Sequence, residues 1–486
     1  MKPLVTAVAA LLVAGGVAVA PPPGSGRVAQ ATPGAAMSFD FDGDGYADLV
    51  AGVPGEDLKG VKDAGAVQVL YGSASGPTAR DQLWHQGRKG IKNKLERADR
   101  FGEVLASGDF DADGYADLAI GIPRENLGRK KDAGAVQVLY GGPRGLTTRD
   151  QFWHQGSRGV PGKNEAGDRF GSTLAAGDVD GDGFADLVVG APSEDLGRAK
   201  DAGTVVVLRG SRSGLTSVDA QVWNERSAGI GGTPRTDGFL GSEMAVGDVT
   251  GDGYSDLVLG VRGPEAGGDS IRLLPGSPYA LTAEGSAEYS LAELGLESSW
   301  QLPSLWLGDV NADGREDLTV GASGVAVLHG HTDGLHPGPL AAPGQPGVDT
   351  LWQYDAATDT RFGGRGVTGD VTGDGFADLL MSVSRFQGDS GLVIVLGTSQ
   401  GLGADSEEWM SWGSPPNLLP LSGGTTMWQV FGAYTLTVGP VFGAGTVTAV
   451  QPTPAGTGGT ATMWSQDSPG IKGVAEPSDY FGQSVG

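Results

Sequence analysis

Aspartates recur along this chain at a spacing that suits a hard cation. The segment Asp40-Phe41-Asp42-Gly43-Asp44-Gly45-Tyr46-Ala47-Asp48 has near-copies beginning at Asp109, Asp178, Asp248, Asp309 and Asp370. In each, side-chain oxygens at loop positions one, three, five and nine can converge on one ion, and a backbone carbonyl at position seven completes the sphere. Oxygen donors in that number suit Ca2+. The glycine at position six, Gly45 in the first loop and Gly114 in the second, permits the sharp turn that wraps the backbone around the ion. Up to six structural Ca2+ ions are therefore expected.

Other constellations carry less chemistry. Trp84-His85-Gln86 and Trp153-His154-Gln155 stand at equivalent places, and a Trp repeated once per unit, again at Trp223, Trp352 and Trp464, suits packing between sheets better than stacking on a sugar. His329, His331 and His336 could bind a transition metal, but Leu328-His329-Gly330 occupies the place of Leu70-Tyr71-Gly72 and Leu208-Arg209-Gly210, so the position tolerates unlike residues. Gly-x-Ser-x-Gly occurs at Gly397 and Gly482 without the strand-to-helix context of a nucleophile elbow. No catalytic residue is assigned, and the expected role is non-catalytic.

The elements that must position the loops repeat with them. Position three falls at residues 42, 111, 180, 250, 311 and 372, spacings of 69, 69, 70, 61 and 61 that fit one four-stranded blade plus its connections. A strand opening with Phe-Gly (Phe101-Gly102, Phe170-Gly171, Phe362-Gly363) leads into the loop, and the loop feeds an apolar strand such as Ala185-Asp186-Leu187-Val188-Val189-Gly190. β-branched runs bounded by Gly and Pro, without a helical period, make the chain all-β. A seventh copy is expected to open at Phe431-Gly432, with Gly439 to Gly445 in the place of the loop, its acids lost and its blade truncated. Trp84 to Phe101, Trp153 to Phe170 and Trp464 to Phe481 are each 17 residues, so Phe481 to Gly486 reads as an opening strand that completes the first blade and closes a ring.

Phe-Gly, the aspartate loop and Gly190-Ala191-Pro192, with the variants Gly52-Val53-Pro54 and Gly121-Ile122-Pro123, resemble the FG-GAP repeat of integrin alpha-subunit propellers. The likeness covers nearly all of the mature chain and is closest to secreted bacterial integrin-like proteins. It implies a seven-bladed β-propeller over residues 39–486 with Ca2+ loops between the first and second strands of blades. Carried over loop by loop, the ligands would be Asp40, Asp42, Asp44, Tyr46 and Asp48; Asp109, Asp111, Asp113, Tyr115 and Asp117; Asp178, Asp180, Asp182, Phe184 and Asp186. The later loops would supply Asp248, Thr250, Asp252, Tyr254 and Asp256; Asp309, Asn311, Asp313, Arg315 and Asp317; Asp370, Thr372, Asp374, Phe376 and Asp378. Thr250, Asn311 and Thr372 replace an acid at position three, so these three loops are expected to bind more weakly. The leg domains and membrane span of integrins have no counterpart in the sequence, and the heterodimeric function does not transfer.

Composition sets the outer bounds. A formal net charge of -25 disfavours nucleic acid as a partner, and 21 aspartates lie in the six loops, so much of the acidity is ligand charge. Lys2, the apolar run Leu4 to Ala20 and Ala29-Gln30-Ala31 read as a secretory signal peptide over residues 1–31, with a short linker at 32–38. No segment reads as a membrane span, and the chain has no cysteine to form disulfides. The expectation is a secreted monomer that binds an extracellular protein or glycan, an adhesion module. A lectin, or an extracellular hydrolase or lyase, is the alternative.

Overall fold

The computed structural model describes residues 37–486 apart from 229, 264–267, 298–301, 338–348, 354–359, 362–365, 371, 386–389, 404–407, 413–416, 424–425, 434–443, 445, 451–460, 470, 480 and 482–486. The leader, most of the linker and Phe362-Gly363 therefore lie outside the described residues. The described chain is all-β, built of antiparallel sheets laid down in sequence order. The first sheet has three strands, β1 (Leu49–Val53), β2 (Ala66–Leu70) and β3 (Asp81–Trp84). The next is β4 (Val104–Gly108), β5 (Asp117–Ile122), β6 (Ala135–Leu139) and β7 (Asp150–Trp153), followed by β8 (Thr173–Gly177), β9 (Asp186–Ala191), β10 (Thr204–Arg209) and β11 (Thr216–Trp223). The fourth is β12 (Met244–Gly247), β13 (Asp256–Val261), β14 (Ser270–Leu274) and β15 (Ala287–Ser290). The fifth adds β16 (Ser304–Gly308), β17 (Asp317–Gly321), β18 (Gly324–His331), β19 (Gly334–Pro337) and β20 (Asp349–Gln353). The sixth adds β21 (Thr360–Arg361), β22 (Gly366–Gly369), β23 (Asp378–Arg385), β24 (Ser390–Val395) and β25 (Glu408–Trp412). The last holds β26 (Asn417–Gly423), β27 (Thr426–Ala433), β28 (Thr446–Val450) and β29 (Ala461–Trp464).

Burial explains the residue pattern. The second and third strands of a blade, such as β5 with β6 and β9 with β10, are buried along their whole length, because each sheet is covered on both faces by its neighbours. They therefore read as continuous apolar runs rather than alternating ones. The outer strand β11 is a mixture of exposed and half-buried residues, and Trp223 at its end is only 9% exposed.

The expected seven blades become six. Six sheets have an inner strand, and these pack one on the next in the order β4, β8, β12, β16, β22, β26. The sheet β1-β2-β3 has no such strand among the described residues, and residues 482–486, from which the sequence reading drew one, lie outside them. The approach to that sheet is nevertheless built as elsewhere. The N–H of Phe481 donates to the Ala444 carbonyl at 3.0 Å, as Phe101 does to Ala64 and Phe170 to Ala133, and Phe481 is buried with Leu49, Ala51 and Val53.

These bonds also correct the reading of the last copy. Ala444 takes the place of Ala64 and Ala133 in the turn before the third strand, so Gly439 to Gly445 does not stand where the aspartate loop should be. Register agrees: Gly432 pairs with Val447 and Val447 with Trp464, as Gly190 pairs with Val205 and Val205 with Trp223. Phe431-Gly432 thus lies at the end of a second strand rather than opening a first. The blade is not truncated but four-stranded, and only residues 424 and 425 separate β26 from β27 where eight residues separate the corresponding strands of other blades. A two-residue connection leaves no room for a metal cradle.

Phe481→Ala should destabilise the protein by about 3–5 kcal/mol in urea denaturation, the cost of emptying a core aromatic site. A loss under about 1 kcal/mol would mean that the C-terminal segment is not part of the cooperative fold.

Candidate metal centre

Each aspartate loop enters the second strand of its blade, and backbone bonds set its shape. The position-one carboxylate folds the loop over itself. Asp40 Oδ1 accepts the N–H of Gly43 at 2.8 Å and of Asp44 at 3.1 Å, and Oδ2 accepts that of Gly45 at 2.9 Å. Asp178, Asp248 and Asp370 repeat all three bonds. At position five, Oδ1 of Asp44, Asp113, Asp182, Asp252, Asp313 and Asp374 accepts the N–H of position seven, at 3.0–3.1 Å.

Position nine is the anchor. Asp48, Asp117, Asp186, Asp256, Asp317 and Asp378 are all 0% exposed. Asp48 Oδ2 accepts the N–H of Phe41 at 2.9 Å and Oδ1 that of Gly72 at 2.8 Å, so one carboxylate joins loop, second strand and end of third strand. Asp117 does the same with Phe110 and Gly141, and Asp186 with Val179 and Gly210. Burial pushes Asp48 and Asp117 up to about 8 and Asp186 and Asp256 to about 7, against these N–H bonds, which favour the ionised form.

Positions one, three and nine converge. One carboxylate oxygen from each of Asp40, Asp42 and Asp48 lies within 4.8 Å of the others, and the same holds for Asp109, Asp111 and Asp117 and for Asp178, Asp180 and Asp186. The fit to a cation is tested at position three. Asp42 Oδ1, Asp111 Oδ1, Thr250 Oγ1 and Thr372 Oγ1 are buried oxygens without a hydrogen-bond partner. An unpaired buried oxygen is costly, and a hard cation at the centre of the loop would satisfy it. The donor set fits Ca2+ in loops one and two, with fewer charges in loops four and six.

Three arginines that sequence reasoning passed over complete the electrostatics. Arg80 pairs with Asp42 while stacking 3.9 Å over the Tyr71 ring, and Arg149 pairs with Asp111 while stacking 4.0 Å over Tyr140. In the third blade Arg209 takes the place of that tyrosine. Its guanidinium, 10% exposed, pairs with Asp180 and lies 3.2 Å from Asp186. Loop three therefore carries its own buried counter-charge. His329 holds the same place in the fifth blade, 3.1 Å from Asp317 and 3.2 Å from Asn311 Nδ2. His331 and His336 instead meet at Asp333 on the exposed β18-β19 hairpin, so the three histidines do not form one site.

Side chains at position seven link the loops. Tyr115 packs on Gly43 of the preceding loop, where a Cβ would stand 2.8 Å from its ring, and Tyr254 packs likewise on Gly181. Position eight adds a backbone bond: Ala116 donates to the Asp40 carbonyl, Ala185 to Asp109, Ser255 to Asp178, Glu316 to Asp248 and Ala377 to Asp309. The six loops are hydrogen-bonded in a row.

The FG-GAP repeat family matches residues 33–70, 101–139, 170–208 and 362–396. Phosphatidylinositol-glycan-specific phospholipase D of Mus musculus is 34% identical over 180 residues, covering 35% of this chain and 19% of that protein. Integrin alpha-5 of Xenopus laevis is 32% identical over 230 residues, 46% of this chain and 19% of the integrin. Among solved structures, the Pseudomonas aeruginosa periplasmic gluconolactonase PpgL covers 89% of this chain and 97% of its own, with 15% identity and a TM-score of 0.45, too distant to bear on function. The chain spans about a fifth of the length of the curated relatives it matches, and their names include both an integrin and an enzyme. It is an all-β propeller that carries FG-GAP repeats in four segments and is similar over part of its length to integrin alpha subunits.

Proposed function

We propose that the chain is an exported, calcium-stabilised propeller that binds an extracellular glycan or protein without catalysing a reaction. The observation that carries the calcium reading is the recurring loop with an unpartnered buried oxygen at position three, at Asp42, Asp111, Thr250 and Thr372. Several carboxylates held together repel one another until a cation arrives, so binding and folding are linked. The non-catalytic reading is supported by how the loop acids are engaged: both oxygens of the position-nine carboxylates already accept backbone N–H groups, which leaves them poor proton carriers. The leader-like N-terminus supports export.

A glycan is the second reading, and it rests on a cleft of about 460 Å3 beside loop four. Thr250, Asp252, Thr282, Glu284 and Asp333 line it, and Tyr279, 90% exposed, stands at its edge. An exposed aromatic face among hydroxyls and carboxylates suits a sugar ring. Trp84 and Trp223, both buried, do not offer such a face. Trp84 is 1% exposed with the Arg88 guanidinium 3.7 Å over its ring, which bears out the packing role.

EDTA should lower the melting temperature by an amount that excess Ca2+ restores, about 2.7 kcal/mol of stability per site at 100-fold saturation. Asp111→Ala should reduce that calcium increment more than Thr372→Ala, read by thermal melts across a calcium series; equal losses would contradict a charge-based ranking. Arg209→Tyr, which installs the residue of the first two blades, should tighten calcium binding at loop three by about tenfold, since removing a guanidinium near the ion relieves roughly 1–4 kcal/mol of repulsion. Calorimetric titration that finds no tighter site would count against Arg209 as the internal counter-charge. On a glycan array, Tyr279→Ala should abolish any calcium-dependent signal while leaving the melting temperature unchanged; a signal that survives would remove the cleft as the sugar site.

A further inference from the structure

A second acidic group recurs at the other end of the blades. The aspartate loop of the second blade enters β5 at Asp117, whereas Glu125 follows the exit of that strand at Ile122. There one carboxylate oxygen from each of Glu96, Asp99 and Glu125 lies within 4.8 Å of the others. Glu96 and Asp99 belong to the connection that leaves the first sheet, so the group spans a junction between blades. Asp99 and Glu125 are almost wholly buried. Gln86, 1% exposed, completes the group, with Nε2 donating to Glu125 Oε2 at 2.7 Å.

The residue pattern and its glutamine bond repeat with the blades, while among the described residues the 4.8 Å grouping of three carboxylates is found at this first junction. Gln155, Glu165, Asp168 and Glu194 stand 69 residues further on, and Gln155 Nε2 donates to Glu194 at 2.8 Å. Gln466, Glu476, Asp479 and Glu56 stand where the end of the chain meets the first sheet, and Gln466 donates to Glu56 across 410 residues. In all three, the N–H of the first glutamate donates to the aspartate.

The bonds within each group leave oxygens over. Gln86 Oε1 and Asp99 Oδ1 are buried without a hydrogen-bond partner, as are Gln466 Oε1 and Asp479 Oδ1 at the closing junction and Gln155 Oε1 at the second. Each glutamine spends its amide nitrogen on the acid, and its carbonyl is left to accept. Positive charge is scarce: Lys94 Nζ lies 2.9 Å from Glu96, on a side chain that is 78% exposed. Burial and the neighbouring acids push Asp99 up to about 8, a measure of how poorly the group carries its charge alone.

The fourth blade supplies a natural comparison. Counting from Trp223 as from Trp153, the four places hold Glu225, Arg235, Gly238 and Pro264. All three acids are gone from their places, a glutamate stands in place of the glutamine, and an arginine has come in: Arg235 Nη2 lies 3.1 Å from Glu225 Oε1, and its N–H donates to Oε2 at 2.8 Å. Where the sequence encodes a cation, the carboxylates that would attract one are missing.

We propose that the junction of Glu96, Asp99 and Glu125 binds a hard divalent cation, Ca2+ by its all-oxygen donors, held between two blades by the two glutamates, the aspartate and the Gln86 carbonyl. This site is separate from the aspartate loops and joins the first sheet to the second.

Calcium bound per chain, measured on the full protein by equilibrium dialysis with Ca2+ alone, tests this. Glu125→Gln should bind one ion fewer than the unaltered chain. Glu96→Arg, which copies the arginine of the fourth blade, should also lose one ion but melt at a higher temperature than the unaltered chain in EDTA, so a folding defect cannot mimic the expected result. An unchanged ion count in folded Glu125→Gln and Glu96→Arg would overturn the proposal. Asp111→Ala in parallel reports on the loops alone: a loss there without one at the junction leaves the loop reading standing, and the converse leaves the junction standing.

Discussion

The buried carboxylate at the ninth loop position is the interaction on which the rest depends. It is inaccessible in all six loops, and in each it accepts N–H groups from two stretches of backbone that would otherwise have no reason to meet. A charge in that position is expensive to bury, and hydrogen bonds to charged groups are among the stronger ones. The compromise is a clamp: the loop can take one shape only, and that shape gathers the remaining oxygens of positions one and three. The metal cradle is a by-product of how the second strand is started.

Charge balance is solved differently from blade to blade on the same backbone. Arg80 and Arg149 reach in from an adjacent strand and lie on a tyrosine, whereas Arg209 and His329 replace that tyrosine and act from within. At the opposite end of the blades, Arg235 stands where other junctions keep acids. Repeats that look alike in their aspartates therefore differ in their net demand for a cation, and the difference lies in residues outside the motif.

The loops were legible in the sequence because their ligands are local: nine consecutive residues hold every donor, and Asp40, Asp42 and Asp48 converge as their spacing implies. The second and third strands were legible because burial on both faces leaves an apolar run. What misled was degeneracy. Phe431-Gly432 looks like a blade opening, yet backbone pairing puts it at the end of a second strand, because Gly-Ala after an apolar run and Phe-Gly before one are indistinguishable without a partner strand. The blade count failed for the same reason, being a count of inner strands, which are short and only half-buried and so leave a weak pattern. Arg209 and Gln86 were missed since their partners lie elsewhere in the fold, although the 69-residue period would have aligned Gln86, Gln155 and their glutamates.

The backbone hydrogen bonds that run from each loop to the one before it give the rim a direction. Ala116 reaches back to loop one, Ala185 to loop two, and so on to Ala377 and loop five, so an inner loop is gripped on both sides while loops one and six are each gripped on one by these bonds. On the calcium reading proposed above, an ion entering a loop would stiffen a carbonyl that the neighbouring loop uses as a foothold. Occupancy along such a row is a problem in one dimension, like adsorption on a line of sites with nearest-neighbour coupling, in which the order of filling reflects position as well as the ligands each loop owns.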